Sequence, residues 1–254
     1  MKRLNATQIS EVIKGAQTGA SLSQLSTKFG LRKTTIYYHV RGYCRKMGKF
    51  DGSRLSEWEK GYLVGVFVGD GCFNFRQKYY SYMTKLTLNA KSEQPIVDLL
   101  ITILRKANTK PWITINENRF EVRVSSKGFC SFLKGYAGYG SEKGKLRKRL
   151  FLREGHAENF LFGVLAGLID SDGCVAFDRK KYLRAMISTK SKVLATTMLQ
   201  LVNILEIHAT VHRSSGFTVR ISAPFLKTNA QNIRSLKLKQ KFNWGSHQVG
   251  MVGP

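Results

Sequence analysis

"GVLAGLIDSDGCVAF", residues 163–177, decides how this chain is read, because a second version of it, "GYLVGVFVGDGCFNF", stands at residues 61–75. Each stretch is apolar enough to be a buried helix, yet each closes on an aspartate followed by a glycine. In register, Gly61, Gly65 and Gly69 fall on Gly163, Gly167 and Ser171; Asp70 falls on Asp172, Gly71 on Gly173, Cys72 on Cys174 and Phe75 on Phe177. Further along, "AKS" at 90–92 matches "TKS" at 189–191, and "VRVS" at 122–125 matches "VRIS" at 219–222. A period near 100 residues is too long for a solenoid unit and predicts two tandem copies of one small domain.

The small residues explain the aspartates. Positions i, i+4 and i+8 share one face of a helix, and here that face carries only glycine or serine. Glycine inside a helix costs roughly 1 kcal/mol relative to alanine, so its recurrence predicts close backbone approach of the two helices. Helices packed that way bring Asp70 and Asp172 together at one end. Two carboxylates held close repel, and one keeps its proton unless a cation joins them. Oxygen donors of this kind suit Mg²⁺, or Mn²⁺. The alternative, two ordinary helix ends, leaves an acid opposing the macrodipole in both copies, although the chain has only six aspartates.

The charge names the partner class. The 254 residues hold 42 basic and 16 acidic side chains, a formal net charge of +26, which predicts a polyphosphate partner. Paired carboxylates with a metal beside such a surface point to phosphodiester hydrolysis. No apolar run is long enough to span a bilayer, and no lipidation signal or lysine-rich amphipathic helix appears, so no membrane partner is expected. The first residues lack the apolar stretch of a secretory signal, so an intracellular location is expected (cytoplasm, nucleoid or an organelle). The four cysteines form no C-x-x-C pair, and Cys72 and Cys174 read as small, reduced core residues. No histidine spacing, Ser-His-Asp set or phosphate-binding P-loop supports another enzyme class.

With these residues in view, the chain resembles the LAGLIDADG homing endonucleases. "LAGLIDSDG" at 165–173 differs from the family motif at one letter, and "LVGVFVGDG" at 63–71 is a looser copy with Val68 where the motif's first aspartate stands. Asp170 keeps that position in the second copy, and both copies keep the essential second acid, Asp70 and Asp172. The resemblance implies an α+β fold: two pseudo-symmetric αββαββα halves whose saddle-shaped antiparallel sheets lie in the major groove of double-stranded DNA. It implies a monomer with internal pseudo-twofold symmetry, cutting a long asymmetric site across the minor groove to leave short 3′ overhangs. It also implies metal ligation by the main-chain carbonyls before each acid, Gly69 and Ser171. A basic residue near each metal is implied too. "LKLKQK" at 236–241 assigns Lys239 to that role, and "EKGKLRKRL" at 142–150 offers Lys143, Lys145 or Lys148, of which Lys148 is taken. Lys91 and Lys190 sit where the family often has glutamine or lysine.

Strands that read DNA should alternate apolar and polar faces. Phe73 and Phe75 alternate with Asn74 and Arg76, while Arg123 and Arg220 stand between inward aliphatic residues, so all four polar residues are candidate DNA contacts, to phosphate or to base edges.

Residues 1–50 hold ten basic groups and one acid. They read as helices near 7–17 and 22–29, a turn at Phe29-Gly30-Leu31, and a third helix from Arg32 or Lys33 to Val40, closed on Ile9, Leu25, Phe29, Leu31, Ile36 and Val40. This resembles a helix-turn-helix module of the resolvase or transposase kind, with Lys33, Thr34, Thr35 and Tyr38 as base-edge candidates. The expected organisation is this module over 1–44, a basic linker over 45–55, and halves over 56–150 and 151–254. The expected function is a site-specific, intron-encoded double-strand DNA endonuclease. A non-catalytic transcription regulator on the same scaffold and an intron-splicing RNA maturase are the alternatives; an intein is disfavoured by the absence of splice-junction residues.

Overall fold

The N-terminal helices are set by their caps. Asn5 and Gln8 exchange side-chain hydrogen bonds with each other's backbone at the start of α1 (Ala6–Gln17). Ser21 and Gln24 form a full capping box on α2 (Leu22–Phe29). Gly30, at φ 62°, takes the left-handed conformation that ends α2, which glycine adopts without a Cβ penalty. Leu31 N–H donates back to the Ser26 carbonyl, and α3 (Lys33–Val40) follows at once. Val12, Leu25, Ile36 and Val40 form the core, with Phe29 and Leu31 packed beside them. Val12 takes the buried place expected of Ile9, which is half-exposed.

A computed structural model describes residues 5–17, 20–40, 49–76, 81–152, 155–178 and 182–241. The chain divides into two compact units, Met1–Lys49 and Phe50–Pro254. The second unit contains both sequence copies around one continuous core. It begins earlier than the expected linker allowed. Phe50 packs on Phe129 and Phe132, and Asp51 N–H donates to the Ala107 carbonyl. Residues 41–48 lie outside the described ones.

The first half runs α4 (Glu57–Asp70), β1 (Gly71–Arg76), β2 (Ser81–Asn89), α5 (Gln94–Lys106), β3 (Trp112–Asn116), β4 (Arg119–Ser125) and α6 (Lys127–Lys134). A hairpin, β5 (Ala137–Glu142) and β6 (Lys145–Leu150), follows it. The second half repeats the order as α7 (Glu158–Asp170), β7 (Gly173–Asp178), β8 (Tyr182–Thr189), α8 (Lys192–Ile204), β9 (Ala209–Arg213), β10 (Phe217–Ile221) and α9 (Ala223–Ile233), then a short helix at 236–241. Each half is αββαββα. Its four-stranded antiparallel sheet has the order β1-β2-β4-β3 in one half and β7-β8-β10-β9 in the other.

Alternation along the strands divides each sheet into two faces. Phe120, Val122 and Val124 are buried, while Glu121, Arg123 and Ser125 point to the opposite side. In β10, Val219 and Ile221 are buried and Thr218 and Arg220 face away. The register also corrects the reading of two cysteines. Cys72 pairs with Lys85 and Cys174 with Met186, on the polar faces; Cys174 is exposed and Cys72 half-buried. Each follows the Asp-Gly by one residue, which places it on the outward side of the first strand.

Candidate metal and nucleic-acid site

The site rests on contact between α4 and α7. A methyl group added at Gly61 would strike the Phe160 carbonyl oxygen, and one at Gly65 that of Val164. Reciprocally, Gly163 faces the Trp58 carbonyl and Gly167 that of Tyr62. The helices touch backbone to backbone through the small-residue face, and Gly69 abuts the Ser171 side chain. Gly71 and Gly173 are small for a second reason: a methyl at either would strike its own helix, at Phe67 or Ile169. That lets each chain turn from helix straight into strand, so an acid is presented at each corner.

Asp70 ends α4, and Asp172 lies two residues beyond α7. Burial, then the neighbouring Asp172 and Glu93, raise the Asp70 carboxyl to about 7. Asp172 is exposed as a residue, yet the protein packed around its carboxyl raises its pKa, against the pull of Lys148 and Lys237. Lys148, on β6, donates to the Gly69 carbonyl. Burial lowers its pKa while Asp172 and Asp70 oppose the shift. The lysine on the other side is Lys237, whose ammonium donates to the carbonyls of Ser171 at 3.0 Å and Gly173 at 3.1 Å, and pairs with Glu93 at 3.1 Å.

Lys237, not Lys239, therefore stands beside the second acid. Lys239 is exposed; with Leu238 buried between them, the two lysines leave the short helix in different directions. Lys91 and Lys190 are exposed as well, and Lys190 lines a basic groove with Lys143, Lys145, Arg147, Lys192 and Arg213. Asn74 is exposed, and Arg123 and Arg220 are half-buried, all on the polar sheet faces. The side chain of Arg76 lies outside the described residues. In the N-terminal unit, Lys33, Thr34 and Tyr38 are exposed on α3 and Thr35 is half-buried.

Two acids have parts that the sequence reading did not assign. Asp170 is fully buried and accepts four hydrogen bonds: from Tyr62 Oη at 3.1 Å, Ser235 Oγ at 2.6 Å, and the N–H groups of Leu236 and Lys237, both at 3.0 Å. It anchors the start of the helix that carries Lys237. Val68, its counterpart in the first copy, has no such helix to hold. Glu93, also buried, accepts the Asn89 N–H at 2.6 Å and reaches the site from the N-cap position just before α5. Its counterpart in register is Lys192, so the repeat itself gave no signal for it.

A cavity of about 590 Å³ opens beside Asp70, lined by Asn89, Glu93, Asn118, Arg119 and Ser171. The donor set fits a divalent cation. Both carboxylates are held in an environment that disfavours their charge, and the carbonyls of Gly69 and Ser171 already accept from ammonium groups. No three His, Cys, Asp or Glu side chains converge into a metal cage among the described residues. Two carboxylates and two carbonyls leave places for water and substrate phosphate, a shell of the kind that Mg²⁺ commonly takes. No described helix is long and apolar enough to cross a membrane.

Comparison with known proteins agrees with this architecture. Residues 159–242 match the family model of the LAGLIDADG-like domain. The chain is 26% identical over 228 residues to an uncharacterised protein of Methanocaldococcus jannaschii, a match spanning 84% of this chain and 76% of that one. Its fold is similar to that of a variant of I-DmoI solved with its target DNA in the presence of magnesium, at TM-score 0.51 and 19% identity, over 70% of this chain and 97% of that one. It is similar to the homing endonuclease I-WcaI bound to its DNA recognition sequence, at TM-score 0.52 and 10% identity, over 77% and 87% of the two chains. Full-length DUF199/WhiA from Thermatoga maritima is similar at TM-score 0.51 and 11% identity, over 80% of this chain and 63% of that one.

Proposed function

We propose, for a chain of LAGLIDADG fold that carries a LAGLIDADG-like domain in its second half, that it is a site-specific double-strand DNA endonuclease. The observation that carries this reading is the contact of α4 with α7, which brings Asp70 and Asp172 together with a carboxyl pKa of about 7 in a highly basic chain. The charge, the polar sheet faces and the basic groove support a polyphosphate partner, and structures of the same fold were solved on their DNA targets. The two halves lie in one chain, so a monomer supplies both acids.

Bound between the acids, Mg²⁺ or Mn²⁺ would polarise a phosphoryl oxygen and acidify a water. The residues of the chain do the rest. Asp70 and Asp172 would hold the cation, together with the carbonyls of Gly69 and Ser171. Lys148 and Lys237 screen charge near the scissile phosphates, and burial lowers the pKa of Lys148, which eases release of its proton. Asn74, Arg76, Arg123 and Arg220 contact DNA from the sheets. The first unit adds a helix-turn-helix contact through Lys33, Thr34, Thr35 and Tyr38. Because the halves differ in sequence, the site is asymmetric, and the cut leaves short 3′ overhangs.

The test is cleavage of a randomised duplex library with Mg²⁺, sequencing the new ends, beside Asp70→Asn and Asp172→Asn. Defined 3′ overhangs within one long site, lost in either variant while binding persists, are expected. Retention of one sequence without any cut assigns the non-catalytic regulator reading instead. Capture of structured RNA in preference to duplex assigns the maturase reading.

A further inference from the structure

The polar face of the first sheet carries an acid at its centre. Glu121 on β4 accepts from Lys85 at 3.1 Å through one carboxylate oxygen and from both Nε, at 3.1 Å, and Nη2 of Arg123 through the other. Its side chain is 12% exposed, against 31% for each of the two cations. Thr87 and Thr114 flank it on the neighbouring strands, and Trp112 lies beside Arg123. The hydrogen bonds from Arg123 and Lys85 hold the Glu121 carboxyl below its ordinary range.

The second sheet lacks this arrangement. Matching Val122 to Val219 puts Thr218 in the place of Glu121 and Arg220 in the place of Arg123. Arg220 pairs in register with Met186, as Arg123 does with Lys85. The buried Arg220 Nε has no hydrogen-bond partner among the described residues.

A carboxylate here opposes binding to any polyanion. Alone, Lys85 and Arg123 would attract phosphate wherever it lies; with Glu121 between them, half of that charge is cancelled and the patch presents an acceptor beside two donors. The major-groove groups that a carboxylate can accept from are the exocyclic amino groups, N4 of cytosine and N6 of adenine, and acidic side chains pair with the former. Arginine and lysine suit guanine O6 and N7. Glu121 and Arg123 stand two residues apart, about 7 Å along the strand, and base pairs stack about 3.4 Å apart. The tips of the two side chains meet in a hydrogen bond, so the acceptor and the donor are offered side by side, to one base pair or to adjacent ones.

Resting on the endonuclease reading above, we propose that Glu121 is a specificity-determining residue: it selects a base with a major-groove amino group, cytosine foremost, at one position of the half-site under the first sheet, and suppresses binding to other DNA. Thr218 gives the second half-site no such requirement.

The experiment sequences the molecules retained from a library randomised over both half-sites, for the wild type, Glu121→Gln and Thr218→Glu, with binding to random duplex titrated against salt. In the wild type, one position of one half-site favours cytosine by about tenfold. Glu121→Gln flattens that position alone, tightens binding to random duplex several-fold, and steepens its salt dependence as Lys85 and Arg123 become free for phosphate. Thr218→Glu adds a cytosine preference at the symmetry-related position. An unchanged profile in Glu121→Gln overturns the proposal, as does a loss spread over all positions, which would mark the carboxylate as a structural brace. A wild type that retains all sequences alike overturns the DNA-reading function itself, and this assignment with it.

Discussion

The two halves of the second unit share one topology and differ in how they furnish the site. Each contributes a glycine-faced helix and a terminal acid at equivalent places. The lysines arrive by unlike routes: Lys148 on the β5–β6 hairpin and Lys237 on the helix at 236–241. The supporting acids differ too. Asp170 anchors that helix where the first half has Val68, and Glu93 reaches the site where the second half has Lys192. The backbone contact of two helices admits one solution, so it appears twice. A charge beside a carbonyl can be delivered from several directions, so each half has its own.

The largest effect is expected at the shared part. Gly163→Val would drive a branched side chain into the Trp58 carbonyl, where backbone on both sides leaves nothing to yield. Loss of more than about 4 kcal/mol is expected, seen as failure to recover folded protein. Gly216→Val, whose methyl would meet the Thr189 carbonyl in a strand connection, should cost less. If both variants fold equally well, the helix contact is not what organises the unit.

The unlike parts should fail one strand at a time. Lys148→Met and Lys237→Met are each expected to slow cleavage of one strand by about a hundredfold, and the nicks that accumulate should lie on opposite strands in the two variants. Lys239→Met should change cleavage less than twofold. Equal loss on both strands from either lysine would join the two sites into one.

Asp170 tests the second half's own support. Asp170→Ala would leave Ser235 and the N–H groups of Leu236 and Lys237 unpaired in the interior, a loss of about 3 kcal/mol in denaturant melts. Val68→Ala, at the matching place, removes apolar burial alone and should cost about 1–2 kcal/mol. Equal losses would mean that Asp170 is only filling space.

These contrasts explain what was legible in the sequence. The helix pair could be read because glycine spacing, like any backbone constraint, leaves a fixed pattern at i, i+4 and i+8. The strands could be read from alternation, and the α3 turn from Gly30. Lys237 was hidden because "LKLKQK" offers its lysines at near-equivalent spacing, and the choice depends on where Asp170 starts the helix, 65 residues away in sequence from Ser235. Glu93 resembles an ordinary acid at a helix N-terminus, and its approach to Lys237 is a tertiary contact. Glu121 is hidden for another reason: alternation puts it on the same face as Arg123, but the hydrogen bonds that join it to Arg123 and Lys85 are set by the pairing of β2 with β4.

The smallest effect has an unusual sign. The folded chain holds the Asp70 carboxyl at about 7, whereas an unfolded chain would hold it near about 3.9. Between those values the folded state binds more protons, so stability without metal should fall as pH rises from about 4 to about 7 and then level off. Asn mimics the protonated carboxyl. At pH 8, therefore, Asp70→Asn should be more stable than the wild type by about 2 kcal/mol, the full effect being reduced by the solvent that still reaches the group; at pH 4 the two should melt together. Mg²⁺ should then raise the melting temperature of the wild type at pH 8 and leave the variant unmoved. Asp172→Asn removes one cause of the Asp70 shift and should stabilise less than Asp70→Asn does. If Asp70→Asn instead melts below the wild type at pH 8, the carboxylate is held by favourable contacts, and the two acids are not in conflict across the helix pair.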